Sequence, residues 1–318
     1  MKWSNKLVLL TGAAGFIGSH MLRRLIRLNA EVIAVDDLST GVKENIKFFD
    51  GEFHLLDVSE RNFVELMKRY DFDFILHFGA PSSVILFNKD PEGMFRKTVS
   101  GFMNVMEVAV ETKCRKVVYP SSGSVYGEVP PPQSEDAVPK PVNLYGIAKL
   151  TCEKIADYYG RARGVKSVGL RIFAGYGPGE DHKGDIASPV TIFLKSILRD
   201  ESPIVFGDGT QSRDFVYIDD VVEAIVRCTE RDVPPIINVG SGKTYSFNDV
   251  IKLINELLGK DVKPKYVAKP TSYLEKTQAD ITLMRNVLHI NPLDLEEGLK
   301  KYIESLKLYG ISAHEREV

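Results

Sequence analysis

Short apolar runs alternate with amphipathic segments through the first half of the chain. Lys6–Leu10, Glu31–Val35, Phe53–Leu56, Phe74–His77, Lys116–Tyr119 and Ser167–Ile172 are short and apolar, and they are predicted strands. Helical spacing marks Phe16–Leu28, Glu60–Tyr70, Pro91–Thr112 and Leu144–Arg163 between them. Strands with so few polar positions, each followed by a helix, predict a parallel sheet covered on both faces. The second half is less regular. It predicts helices over Pro189–Leu198, Ile218–Thr229, Phe247–Leu258 and Leu295–Leu308, with short strands at Pro203–Phe206 and Ile236–Val239. Two loops, around 127–142 and 175–188, carry many of the Pro and Gly residues, and long loops of this kind usually shape a site.

A chain of 318 residues can bury one large core or two. With 44% hydrophobic and 26% charged residues its composition is that of a globular protein. A formal charge of −2 leaves no electrostatic footprint for nucleic acid or an anionic membrane, so any phosphate must be gripped locally. Cys114, Cys152 and Cys228 stand far apart and form neither a metal pair nor a disulfide framework; buried free thiols are expected. No apolar run approaches the ~20 residues of a membrane span, and no leader precedes the first strand, so a cytoplasmic location is expected.

The candidate chemistry begins at the end of the first strand. Thr11-Gly12-Ala13-Ala14-Gly15-Phe16-Ile17-Gly18 passes directly into the first helix. Small residues there permit a tight turn, bring backbone N–H groups close to a pyrophosphate and place it at a helix N-terminus. Gly18 would let that helix lie close to the strand. The second strand ends in Asp36-Asp37, and a carboxylate at that place bonds the ribose hydroxyls of NAD and repels the 2′-phosphate of NADP. NAD is therefore the expected cofactor. No metal is expected.

Further along, Tyr145 and Lys149 are spaced to share one helix face. A neighbouring ammonium favours a phenolate, so the pair reads as a general base whose pKa is lowered by Lys149. It lies downstream of Ser121-Ser122, at the C-terminal end of the strand through Val117-Val118-Tyr119, where ligands of parallel sheets bind.

Taken as a set, these residues resemble the extended short-chain dehydrogenase/reductase family, in its nucleotide-sugar epimerase and dehydratase branch. The resemblance runs to about residue 300. It is carried by the glycine turn, Asp36-x-Leu38-Ser39-Thr40-Gly41, Asp57-Val58, His77-Phe78-Gly79-Ala80, Ser121-Ser122-x-x-Val125-Tyr126-Gly127, Tyr145-x-x-x-Lys149, Arg171-x-Phe173-x-x-Tyr176-Gly177-Pro178-Gly179, Arg213-Asp214-Phe215-Val216-Tyr217 and Asn238-Val239-Gly240-Ser241-Gly242. It implies a Rossmann-type doubly wound parallel sheet with a smaller C-terminal α/β substrate domain. The division it implies puts residues 1–172 in the NAD-binding part, with 211–242 returning to it, and 173–210 with 243–318 in the nucleotide-sugar part.

Further residue roles follow from the resemblance. Asp57 and Val58 belong at the adenine, and Asp37, Ser39, Thr40 and Gly41 join Asp36 at the cofactor. Phe78, Gly79, Ala80 and Ile172 lie along the dinucleotide, with Tyr145 and Lys149 at its nicotinamide end. Ser122 bonds the reacting sugar oxygen, Tyr145 is the base, and Lys149 lowers its pKa. Ser82, Ala187, Val205, Phe206 and Arg213 are substrate contacts, with Arg213 on the diphosphate and Phe206 against the base. Gly123 and Ser124 stand where the branch's 4,6-dehydratases carry Asp-Glu, and Ser124 where its decarboxylases keep Glu. The Ser–Tyr–Lys set that remains implies 4-epimerisation of UDP-glucose and UDP-galactose through a 4-keto intermediate. UDP-glucuronate or UDP-N-acetylglucosamine epimerisation, net nucleotide-sugar oxidoreduction and a non-catalytic NAD-binding role are the alternatives. Ala174 replaces the usual Asn after Arg-x-Phe, Thr98 replaces another Asn, and the late diphosphate-binding arginine has only Lys269-Pro270 near its place. Thr277 falls near the position that gates N-acetyl groups. Relatives pair through Pro91–Thr112 and Leu144–Arg163, so a homodimer is expected.

Overall fold

The computed structural model describes residues 2–269 and 275–308. In chain order the first half runs β1 (Leu7–Thr11), α1 (Phe16–Arg27), β2 (Glu31–Asp36), β3 (Phe53–Leu55), α2 (Arg61–Met67), β4 (Phe74–His77), α3 (Val84–Lys89), α4 (Pro91–Glu111), β5 (Lys116–Ser122), α5 (Leu144–Arg163) and β6 (Ser167–Ile172). The second half adds β7 (Ala174–Tyr176), α6 (Pro189–Leu198), β8 (Ile204–Phe206), β9 (Ser212–Arg213), β10 (Phe215–Tyr217), α7 (Ile218–Glu230), β11 (Ile236–Val239), β12 (Tyr245–Ser246), α8 (Phe247–Leu258), β13 (Lys265–Val267) and α9 (Leu295–Leu308).

Seven strands form one parallel sheet in the order β3-β2-β1-β4-β5-β6-β11. Chain direction across the sheet reverses between β1 and β4, which opens a crevice at their C-terminal ends. Alternation along the strands sorts the core into two layers. Leu9, Ile33, Ile75 and Val117 pack on one side with Phe102, Val105 and Cys152 of α4 and α5. Val8, Leu10, Ala34, Leu76 and Val118 pack on the other with Met21, Leu22, Val221 and Ile225 of α1 and α7. Both faces are covered, which is why the strands read as nearly unbroken apolar runs.

Local signals set the helices that flank the site. Asp90 caps α4 by accepting from Gly93 N at 3.0 Å, with Pro91 in the first turn. Asn143 caps α5 by accepting from Gly146 N at 2.9 Å, and Gly164 ends it at φ 72°. Three small two-stranded sheets, β7–β10, β9–β12 and β8–β13, lie outside the main one. All three cysteines are free; Cys152 and Cys228 are buried and Cys114 is partly exposed. Among the described residues no helix is long and apolar enough to cross a membrane.

Candidate active site

A cavity of about 520 Å³ opens at the C-terminal ends of β1, β2, β4, β5 and β6. Its floor is the turn from β1 into α1. Gly12 sits at φ +70°, and a Cβ there would lie 2.4 Å from the backbone carbon of Phe78. A Cβ on Gly18 would lie 1.9 Å from Gly12 O, so α1 can approach the turn only through glycine. Thr11 Oγ1 holds His77 Nδ1 at 2.7 Å and accepts from Gly79 N at 3.2 Å, tying β1 to β4 beneath the opening. His77 is 2% exposed, and burial, with Lys149 nearby, pushes its imidazole down to about 3. Gly12, Gly15, Phe16, Ile17 and Gly18 all border the cavity.

At the β2 end, Asp36 accepts from Ala14 N at 2.9 Å and from Leu38 N at 2.8 Å. It therefore braces the glycine turn as well as bordering the cavity, and burial raises its pKa against the pull of those two amides. Gly41 is not in the cavity wall; a Cβ there would come 3.0 Å from Asp36 Oδ1 and 2.9 Å from Ala14 C. Asp37, Ser39, Thr40, Asp57 and Val58 do border it. Lys97, from α4, was not singled out by the sequence. Its ammonium pairs with Asp37 and lies 3.1 Å from Asp57 Oδ2, so it bridges the loops after β2 and β3. Close backbone amides, a glycine-lined floor and a carboxylate at the second strand's end are a donor set that fits a dinucleotide pyrophosphate and its ribose.

The other wall carries Ser122, Tyr145 and Lys149, and all three border the same cavity as Phe78, Gly79, Ala80 and Ile172. Ser122 ends β5 and accepts from Ser124 N at 3.1 Å. Tyr145 is 9% exposed, with its ring edge-on to Phe87 of α3 at 5.6 Å. Lys149 Nζ lies 5.8 Å from the centre of that ring. Burial raises the Tyr145 pKa, and hydrogen bonding with Ser122 pulls the other way. Burial also lowers the Lys149 pKa. Desolvation thus disfavours the charged form of both side chains, the phenolate as well as the ammonium.

Beneath this wall a second set of side chains fixes α5. Glu153 lies one turn beyond Lys149 and accepts from Arg171 Nε at 2.9 Å, Arg171 Nη2 at 2.8 Å and Ser121 Oγ at 2.5 Å. Arg171 is 4% and Glu153 8% exposed, so α5, β5 and β6 are bolted together by a buried forked pair. Asp214 does similar work further along, accepting from Ser241 N, Ser241 Oγ, Gly242 N and Ala279 N at 2.6 to 3.0 Å.

The far end of the cavity is bordered by Ser82, Ser124, Ala187, Ser188, Arg213 and Thr277. Arg213 donates to Ser212 O at 2.9 Å, and its guanidinium lies 5.7 Å from the Phe247 ring centre. Val205 and Phe206 are not in the wall. Alternation along β8 turns Val205 into the core at 0% exposure and leaves Phe206 42% exposed. Of the pair Lys269-Pro270 only Lys269 lies within the described residues, and its ammonium pairs with Glu275. The turn at Asp181–Ile186 brings in Glu180, His182 and Lys183, which sequence reading passed over. Lys183 lies 2.8 Å from Glu180 Oε1 and 4.5 Å from the Phe16 ring centre, while His182 Nδ1 meets Asn45 Nδ2 at 3.2 Å.

Residues 8–240 match the family described as "NAD dependent epimerase/dehydratase family". The chain belongs to that family. It is similar to the putative UDP-glucose 4-epimerase of Methanocaldococcus jannaschii, at 33% identity over 95% of this chain and 98% of that one. The crystal structure of UDP-glucose 4-epimerase with UDP-glucose from Thermotoga maritima superposes with a TM-score of 0.90 at 32% identity, covering 95% of this chain and 99% of the other. UDP-glucuronic acid 4-epimerase from Bacillus cereus, in complex with UDP-glucuronic acid and NAD, superposes with a TM-score of 0.85 at 28% identity, with 95% and 99% covered. As a member of the epimerase/dehydratase family the chain has a Rossmann-type fold and uses NAD.

Proposed function

We propose that this chain is a nucleotide-sugar 4-epimerase interconverting UDP-glucose and UDP-galactose. One observation carries the reading: Ser122, Tyr145 and Lys149 face the same cavity as the glycine turn, and positions 123 and 124 hold no carboxylate for dehydration or decarboxylation. Bound NAD+ supplies the acceptor for the hydride from C4 and, once reduced, its donor for the return. Tyr145, as the phenolate, takes the proton of the C4 hydroxyl as the hydride leaves, giving the 4-keto sugar, and as the phenol gives it back when the hydride returns to the opposite face. Ser122 holds the C4 oxygen in both states. Lys149, beside Tyr145, stabilises the phenolate that accepts this proton, and Arg213 keeps the diphosphate while the hexose turns over.

NAD-loaded protein given UDP-galactose should yield UDP-glucose with no net NADH. Tyr145→Phe should lose ~10²-fold or more of the rate with an unchanged fold, the usual worth of such a base. Near-normal turnover in that variant, or accumulation of NADH, sinks the proposal. The similarity to an enzyme that binds UDP-glucuronic acid makes that sugar the first competitor in the assay. The reading includes a cytoplasmic homodimer paired through α4 and α5, where Met103 and Tyr158 are exposed.

A further inference from the structure

Among the described residues one buried polar side-chain atom has no hydrogen-bond partner, and it is Ser188 Oγ. Leaving a buried hydroxyl unmet costs about 1–3 kcal/mol, so its place needs a reason. Ser188 stands at the N-cap of α6, with extended backbone at φ −57° and ψ 141°, yet its side chain makes no cap bond. Ser83, Asp90, Asn143 and Ser246 all cap their own helices in this chain. The first turn of α6 is organised by other groups: Pro189 opens it, and Thr191 Oγ1 donates to Glu180 Oε2 at 2.6 Å. Ser188 is thus released from the role its position offers. It borders the cavity between Ala187 and Pro189, on the wall that also carries Arg213, the one arginine among the described lining residues.

We propose that Ser188 is a substrate ligand, whose hydroxyl turns about its Cα–Cβ bond to donate to the diphosphate of the bound sugar nucleotide. The inference rests on the reading that a sugar nucleotide fills this end of the cavity. Two features favour the diphosphate over the hexose. The start of α6 carries the partial positive charge of a helix N-terminus, and Arg213 offers a forked cation in the same space. A serine side chain passes between staggered rotamers at small cost, and the bond made would satisfy the hydroxyl.

The test compares wild type with Ser188→Ala, both loaded with NAD. Binding of UDP, dTDP, GDP and ADP is measured by calorimetry, alongside the denaturation midpoint and NAD affinity. The nucleoside diphosphate that wild type binds best should bind the variant ~10-fold more weakly, the worth of one hydrogen bond to a charged acceptor. NAD affinity should not change. The denaturation midpoint should hold or rise, because no native partner of the hydroxyl is removed. Equal diphosphate affinity in the two proteins, no binding to either, or a lower midpoint in the variant overturns the proposal. A preference for a diphosphate other than UDP would defeat the UDP-hexose reading while still measuring what Ser188 contributes.

Discussion

At the scale of single residues, burial decides more than sequence spacing does. Tyr145 and Lys149 have the expected spacing, yet desolvation raises the one pKa and lowers the other. The sequence carries the spacing but not the desolvation, because burial is not written in a four-residue interval. His77 shows the same effect with a consequence for stability. Its folded pKa of about 3 lies far below the 6.5 of a free imidazole. Between those values the unfolded chain binds a proton that the folded one refuses. Stability is therefore full above pH 6.5 and falls as the pH drops towards 3, by about 1.4 kcal/mol for each unit from this residue alone. His77→Asn, which keeps a polar atom for Thr11, should flatten that slope by about one proton. Urea midpoints at about pH 7 and about pH 5 check it, and an unchanged difference between the two rules it out. Lys97 and Lys183 went unremarked in the sequence because each meets its partners only where a loop folds against distant chain.

At the scale of elements, the periodic segments were legible and the short ones were not. Leu144–Arg163, Pro189–Leu198 and Phe247–Leu258 form helices with the predicted bounds, since each has apolar spacing and end signals. α2 is shorter than its pattern, spanning Arg61–Met67. α3, which places Phe87 against Tyr145, is only six residues long, and strands such as β9 and β12 exist only through partners far away in sequence. The element that matters most is α5, which presents Tyr145, Lys149 and Glu153 at successive turns of one face. Removing one partner of its buried Glu153–Arg171 fork leaves an unpaired charge, so Glu153→Ala should destabilise by about 3–5 kcal/mol. The double change Glu153→Leu with Arg171→Met should recover part of that. Denaturant midpoints measure both, and a single-variant cost below about 1 kcal/mol would show that the fork does not hold α5 in place.

For the whole molecule, alternating strands and helices imply a parallel sheet and a crevice at its strand ends, and both are present. How the second half completes the cavity was less legible. The 180–188 segment reaches Phe16 and Asn45 through Lys183 and His182, contacts that no local pattern encodes. The outer surface offers a test of association. Met103, Ile147 and Tyr158 of α4 and α5 are 45%, 39% and 58% exposed, an apolar area that pairing of two copies would cover. Sedimentation of wild type should give twice the 35.5 kDa chain mass, and Tyr158→Glu should shift it towards one. A single-chain mass for wild type would remove the homodimer from the reading.

The last strand of the main sheet also bears on how the molecule is made. β11 supplies the hydrogen bonds on the outer side of β6, but it begins at Ile236, sixty-four residues after β6 ends at Ile172. During synthesis, β6 leaves the ribosome with one ladder of N–H and C=O groups unmet and must wait for distant chain to cover it. The glycine turn is thus made well before the sheet that supports it is sealed.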